Sequence, residues 1–192
     1  MSEPTPQLSI ITTLDPRPGI MAAFYHDFSC FSAKSPLLVE LVIVNGLKQL
    51  LDTQHLYPPQ EDKTVRLTTS PHADQGSAFL HGASLARGKI LISIDPDMPK
   101  NIKDIPALLK RHDEGAQLVF TRRIRRNDAS LLRRQASYLF NFLLRIITGE
   151  NIGDFNSPMF LIERSAFNKL LSLKLSVEEY KFHAYYLNRE NF

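Results

Sequence analysis

An open, mostly parallel α/β sheet flanked by helices is the fold class this 192-residue sequence predicts. Two observations carry that expectation. Short apolar, β-branched runs alternate along the chain with stripes of apolar residues at helical spacing, the order of strand–crossover–strand units. One run, residues 89–94 (KILISI), leads straight into Asp95-Pro96-Asp97, and strand ends are where open α/β sheets present ligand-binding groups.

The elements follow in order. Residues 9–13 (SIITT) predict a first strand. Met21, Phe24, Phe28 and Phe31 then recur at helical spacing. Residues 41–44 form a second buried strand, and Leu47, Leu50 and Leu51 a short helix. Val65 and Leu67 mark a thin third strand that ends at the Ser70-Pro71 turn. Ala78, Phe79, Gly82, Leu85 and Ala86 make a helical stripe stopped by Gly88. After the strand at 89–94, Asn101 is placed to cap a helix carrying Ile102, Ile105, Leu108 and Leu109. Residues 117–121 return as a strand. Ala136, Leu139, Phe140, Leu143, Leu144 and Ile147 form the strongest stripe, ended at Gly149. A last helix spans about 165–173, and the tail from 176 is charged and aromatic without clear period. With no repeat, low-complexity tract or linker, the expectation is one domain over 1–192 with a core of about 8–173.

Composition removes several function classes. A net charge of +3 is too mild to mark a nucleic-acid binder. Its distribution is uneven, however: Arg122, Arg123, Arg125, Arg126, Arg133 and Arg134 cluster with only Asp128 against them. That cluster is either an anion-binding patch or a solvated basic face. The single Cys30 excludes an intramolecular disulfide, and its neighbours Phe28 and Phe31 predict a buried thiol. The polar N-terminus lacks the basic-then-apolar layout of a secretory leader. The longest apolar stretch, 37–44, is broken by Glu40 and falls far short of the ~20 residues of a membrane span. His26, His55, His72, His81, His112 and His183 show no metal-ligand spacing, and neither a nucleophile elbow nor a P-loop is present.

Asp95 and Asp97 carry the clearest chemistry. Two carboxylates at a strand end can hold a hard divalent cation against a diphosphate, although Asp and Pro also form ordinary turns. Arg123 and Arg126 follow a predicted strand end, where guanidinium forks suit phosphate oxygens. Arg133 and Arg134 open the next helix, where positive charge opposes the helix dipole, so helix stability does not account for them.

Taken together, four segments resemble family 2 glycosyltransferases of the GT-A fold, most closely those that load a sugar onto dolichol or undecaprenyl phosphate. Gln75-Gly76-Ser77-Ala78 with Gly82 and Ala86-Arg87-Gly88 is similar to the family's Gly-Lys-Gly-x-Ala helix ending in Ala-x-Gly. Asp95-Pro96-Asp97 sits in the place of its metal-binding Asp-x-Asp. Arg123, Arg126, Arg133 and Arg134, leading into Ala136-Ser137, Phe140-Asn141 and Thr148-Gly149, resemble the arginine-rich stretch of the polyprenyl-phosphate enzymes. Gly153-Asp154-Phe155-Asn156-Ser157 is similar to the Gly-Asp-aromatic stretch before the last core helix. The resemblance runs from about residue 8 to 166.

What the resemblance implies is inverting transfer of a sugar from a nucleotide sugar to a polyprenyl phosphate, with Mg²⁺ or Mn²⁺ on Asp95 and Asp97. Asp97 and Asp154 are then the catalytic candidates, and Asn45, Asp95, Arg123, Arg126, Arg133 and Arg134 the substrate-binding ones. Asp154 would serve as a base toward an alcohol acceptor, or orient an arginine or the sugar when the acceptor is a phosphate; a turn or cap carboxylate is the plain alternative. The implied setting is cytoplasmic, peripheral at the inner face of a membrane, with a separate membrane subunit as a candidate partner. The sequence departs from the family where Val-Asp-Asp-Gly-Ser is usual: it has Val44-Asn45-Gly46-Leu47-Lys48, so a neutral amide stands where a carboxylate reads the base. The first strand runs into Thr13-Leu14-Asp15-Pro16-Arg17 in place of Pro-x-Tyr-Asn-Glu, Gln75 replaces a lysine, and Pro99 a glutamine. These departures keep open a second expectation, a catalytically impaired domain acting as a binding or regulatory partner.

Overall fold

A computed structural model describes residues 4–46, 64–70, 75–97, 101–121 and 159–172. Among these residues six strands form one sheet: β1 (Leu8–Thr13), β2 (Val39–Asn45), β3 (Val65–Thr69), β4 (Ile90–Ser93), β5 (Leu118–Phe120) and β6 (Phe160–Glu163). The helices are α1 (Ile20–Lys34), α2 (Gln75–Leu85), α3 (Asn101–Asp113) and α4 (Arg164–Ser172). Strand order is β3-β2-β1-β4-β6-β5. β1 pairs in parallel with β2 and β4, and β2 with β3, while β6 lies antiparallel between β4 and β5.

Alternate strand residues face opposite layers, as the pleat requires. Leu8 and Ile10 of β1, Leu41 and Ile43 of β2, and Ile92 of β4 pack with Met21, Phe24 and Phe28 of α1 and Ile105 and Leu108 of α3. Ile11, Val42, Val44 and Leu91 face the other way, toward Ala78, Phe79 and Ala83 of α2 and Ala166 and Phe167 of α4. Both faces of the central strands are therefore covered, which is why their sequences read as unbroken apolar runs.

Two glycines set how closely α2 approaches the sheet. A Cβ on Gly82 would lie 2.7 Å from Ile11 Cγ2 and 2.9 Å from Val44 Cγ2. One on Gly88 would meet backbone, 2.7 Å from the Ser9 nitrogen and 2.9 Å from the Leu8 carbonyl carbon. A polar network secures this junction. The Gly88 N–H donates to Ser9 Oγ at 2.8 Å, and Ser9 Oγ donates to Glu40 at 2.6 Å. The buried Glu40 carboxylate also accepts the Arg87 backbone N–H and the Arg87 Nε–H at 3.3 Å. Arg164 donates to the carbonyls of Ala83, Ala86 and Gly88 at 2.6, 2.7 and 3.1 Å. A guanidinium at a helix C-terminus satisfies orphan carbonyls and complements the helix dipole.

Several sequence expectations shift. The sequence does not announce β6, because four residues wedged before a helix offer too short a period to separate strand from helix. Asn101 is the first helical residue of α3 rather than its cap. Cys30 is exposed, not buried: the buried residues of α1 are Met21, Phe24 and Phe28, and a position two residues beyond Phe28 points about 200° round the helix from it. The helices expected around Leu47–Leu51 and Ala136–Ile147 lie outside the described residues. Among the described residues no helix is long and apolar enough to cross a membrane.

Candidate functional site

The site is assembled at the edge where β1, β2 and β4 end. Strand pairing continues one residue past each end: Leu14 N–H donates to Val44 O, Ile94 N–H to Ile11 O, and Ser70 N–H to Asn45 O, each at 2.9 Å. These bonds fix the residues next in line, Asp15 after β1 and Asp95 after β4, on one edge. Asn45, buried, closes β2 on the same edge. Two strand spacings of about 4.8 Å each separate the β2 and β4 ends, so Asn45 and Asp95 stand roughly 10 Å apart across the edge.

The Asp95-Pro96-Asp97 turn brings two carboxyls together. Asp95 is half-buried and Asp97 exposed. Burial, then the hydrogen-bonded and negatively charged Asp97 beside it, push the Asp95 pKa up to about 6, with a smaller contribution from Asp15. Asp15 moves the other way: the Arg17 guanidinium bonded to it holds its carboxyl below the usual range, against some burial.

Arg17 links the two ends of this constellation. Its Nε donates to Asp15 at 3.0 Å, its backbone N–H to the same carboxylate at 2.9 Å, and its Nη2 donates to Asp97 Oδ2 at 2.6 Å. Asp15 first and Asp97 second raise its already high pKa, so it stays charged at every working pH. The loop is stiff by composition. Pro16 and Pro18 fix their own φ angles and push Asp15 and Arg17, each preceding a proline, out of the helical region. Gly19 follows with φ +80°, a left-handed conformation that opens α1.

Of the site residues expected from sequence, Asp95, Asp97 and Asn45 are brought to one edge. Arg123, Arg126, Arg133, Arg134 and Asp154 lie outside the described residues. Their flanks do not: Thr121, after β5, donates through its N–H and Oγ1 to Met159 O at 3.1 and 3.0 Å. Thr121 and Met159, on either side of residues 122–158, are thus held at the edge that bears Asp95. Asp15 and Arg17 are visible in the sequence only as a departure from the family pattern. The available signal is an acid and a base interleaved with prolines directly after a strand.

The donor set suits a hard divalent cation in a particular way. Asp95 and Asp97 offer oxygen ligands, and their mutual repulsion is what a cation would relieve. Among the described residues no group of three or more His, Cys, Asp or Glu side chains could hold an ion. An ion here would need further ligands from elsewhere, which is the manner of Mg²⁺-type ions held by one or two carboxylates plus substrate phosphates.

Comparisons with known proteins fit this geometry. The undecaprenyl-phosphate 4-deoxy-4-formamido-L-arabinose transferase of Photorhabdus laumondii subsp. laumondii is 32% identical over 95 residues, covering 50% of this chain and 29% of the relative. The Proteus mirabilis protein of the same name is 27% identical over 138 residues, covering 69% of this chain and 41% of the relative. The chain therefore spans less than half the length of these relatives. Among solved structures, glucosyl-3-phosphoglycerate synthase from Mycobacterium tuberculosis, in complex with Mn²⁺, UDP-glucose and phosphoglyceric acid, superposes with a TM-score of 0.62 at 18% identity. That match covers 84% of this chain and 57% of that one. Mannosyl-3-phosphoglycerate synthase from Rubrobacter xylanophilus gives 0.59 at 15% identity, covering 84% and 55%. The fold is that of GT-A glycosyltransferases, a mostly parallel sheet flanked by helices. Residues 32–171 match Glycosyl transferase family 2, and the chain belongs to that family.

Proposed function

We propose that this domain transfers a sugar from a nucleotide sugar to a polyprenyl phosphate with inversion at the anomeric carbon. The observation that carries the proposal is the Asp95–Asp97 pair at the end of β4, on the edge that also bears Thr121 and Met159, the described residues that flank the arginine-bearing sequence. Support also comes from relatives named as undecaprenyl-phosphate sugar transferases and from a structural neighbour described with Mn²⁺ and UDP-glucose.

In this proposal Asp95 and Asp97 are the residues that would hold Mg²⁺ or Mn²⁺, with the donor diphosphate supplying further oxygen ligands. When bound, such an ion supplies Lewis-acid neutralisation of the charge that grows on the leaving diphosphate. Asn45 faces the base with a neutral amide, which can donate or accept a hydrogen bond and so discriminates weakly between bases. Arg123, Arg126, Arg133 and Arg134 position the acceptor phosphate, already ionised at neutral pH, so that its oxygen meets the anomeric carbon from the side opposite the leaving group. The phosphate needs no general base, and Asp154 orients an arginine or the sugar. Docking to the inner face of a membrane or to a membrane subunit gives access to the lipid.

A second proposal has its own support: Asn45 replaces a carboxylate, and Arg17 occupies Asp97. On that account the domain is catalytically impaired and serves as a binding or regulatory partner. A thermal-shift screen of UDP-, GDP- and dTDP-sugars with and without Mn²⁺ separates the two, because a ligand of the folded state raises the midpoint by mass action. A Mn²⁺-dependent rise for any nucleotide sugar supports the transferase. No rise for any of them favours the partner.

A further inference from the structure

Arg17 places a permanent positive charge on the carboxylate that a divalent ion would have to use. Its Nη2 lies 2.6 Å from Asp97 Oδ2, while Nη2 and Nε also donate to Asp15. Nothing in the packing forces this. The guanidinium side chain is 58% exposed and has open solvent to move into. The loop that carries it is set by Pro16, Pro18 and the left-handed Gly19, so the base of the side chain stays in place while its end can swing.

We propose that Arg17 is a built-in competitor of the divalent cation: it occupies Asp97 in the unliganded protein and must release it before an ion binds. This rests on the assignment of Asp95 and Asp97 as the cation site. Two physical effects make the competition real. The Nη2–H occupies a lone pair of Asp97 Oδ2 that an ion would use, and the guanidinium charge repels a divalent one at the same spot. For charges about 5 Å apart in a solvent-exposed setting, removing that repulsion alone corresponds to roughly tenfold in affinity. Asp15 keeps the guanidinium nearby after release, because its carboxylate accepts from both Nε and Nη2 of Arg17. The device keeps the carboxylate pair partly neutralised when no ligand is present and makes ion binding weak by itself.

The test is Mn²⁺ binding to the intact chain without nucleotide, read by electron paramagnetic resonance of the free ion. Wild type is compared with Arg17→Gln, with Arg17→Lys, and with Arg111→Gln as a charge-matched control. Arg111 is an exposed residue near the far end of α3, paired with Glu114, so its replacement changes net charge equally without touching the site. The expected result is about tenfold tighter binding in Arg17→Gln, with little change in Arg111→Gln. Arg17→Lys should fall between wild type and Arg17→Gln, since an ammonium keeps the charge but not the fork. Equal or weaker binding in Arg17→Gln overturns the proposal, and so does an equal gain in Arg111→Gln. If Mn²⁺ binds neither wild type nor Arg17→Gln, the proposal is overturned as well. A nucleotide-sugar response without Mn²⁺ in the thermal-shift screen would then show that donor binding survives separately.

Discussion

Replacing Asp95 by asparagine should stabilise the protein at pH 7.5 and do so about half as much at pH 5. Asp95 is held near a pKa of about 6, against 3.8 in the unfolded chain, by burial and by Asp97. A carboxyl whose folded pKa is raised binds its proton more tightly when folded. Its stabilising contribution is fully present below pH 3.8 and is lost as pH rises through about 6. At about 1.4 kcal/mol per pH unit the whole difference approaches 3 kcal/mol for a fully desolvated group, and partial exposure of Asp95 cuts this to about 1.5 kcal/mol. Between pH 5 and 7.5 roughly half of that is traversed, or about 0.7 kcal/mol. The asparagine side chain has the same shape and no proton to lose, so the stability gap between Asp95→Asn and wild type should widen by this amount over that range. Urea denaturation of both proteins in EDTA, at the two pH values, measures it directly. A gap that is constant with pH, or that narrows toward pH 7.5, would refute the claim that burial and Asp97 together hold the Asp95 carboxyl up.

Three further predictions follow from packing and charge. Glu40→Ala should cost about 3 kcal/mol in urea denaturation, since it leaves the Arg87 backbone N–H and Ser9 Oγ without their buried acceptor; a loss under about 1 kcal/mol would show the network to be dispensable. Gly88→Ala should be more damaging than Gly82→Ala, because the added methyl meets Ser9 and Leu8 backbone at Gly88 but only side-chain methyls of Ile11 and Val44 at Gly82. The reverse order of chemical denaturation midpoints would contradict that packing. For the acceptor, reversing the charges of Arg133 and Arg134 should reduce binding to polyprenyl-phosphate vesicles more than reversing Lys169 and Lys174, whose net charge change is equal. Equal losses in vesicle co-sedimentation would leave only nonspecific attraction.

Much of this is legible in the sequence because the signals are local. Apolar runs ending in turn residues mark β1, β2 and β4, and the period of Met21, Phe24 and Phe28 marks α1. The Asp95–Asp97 pair can be found because both carboxylates sit on one turn after one strand. What escapes depends on contacts distant in sequence. β6 is held as a strand by pairing with β4 and β5 on either side, and its own four residues do not declare it. Glu40 looks like a break in an apolar run; its burial makes sense only once Ser9 and Arg87 are folded beside it. The Arg17–Asp97 bridge joins residues 80 positions apart, and only the parallel placement of β1 beside β4 brings them together. The exposure of Cys30 is hidden because its aromatic neighbours in sequence stand on other faces of the same helix.

The claim on which the account depends is that Asp95 and Asp97 bind the diphosphate of a nucleotide sugar through a divalent ion. Isothermal titration calorimetry with UDP- and GDP-sugars, in Mn²⁺ and in EDTA, tests it in wild type and Asp97→Asn. The account predicts heat of binding in wild type with Mn²⁺, its loss in EDTA, and its loss in Asp97→Asn, while the circular dichroism of the variant stays that of wild type. Nucleotide-sugar binding of equal affinity in Asp97→Asn, or binding indifferent to EDTA, would contradict it.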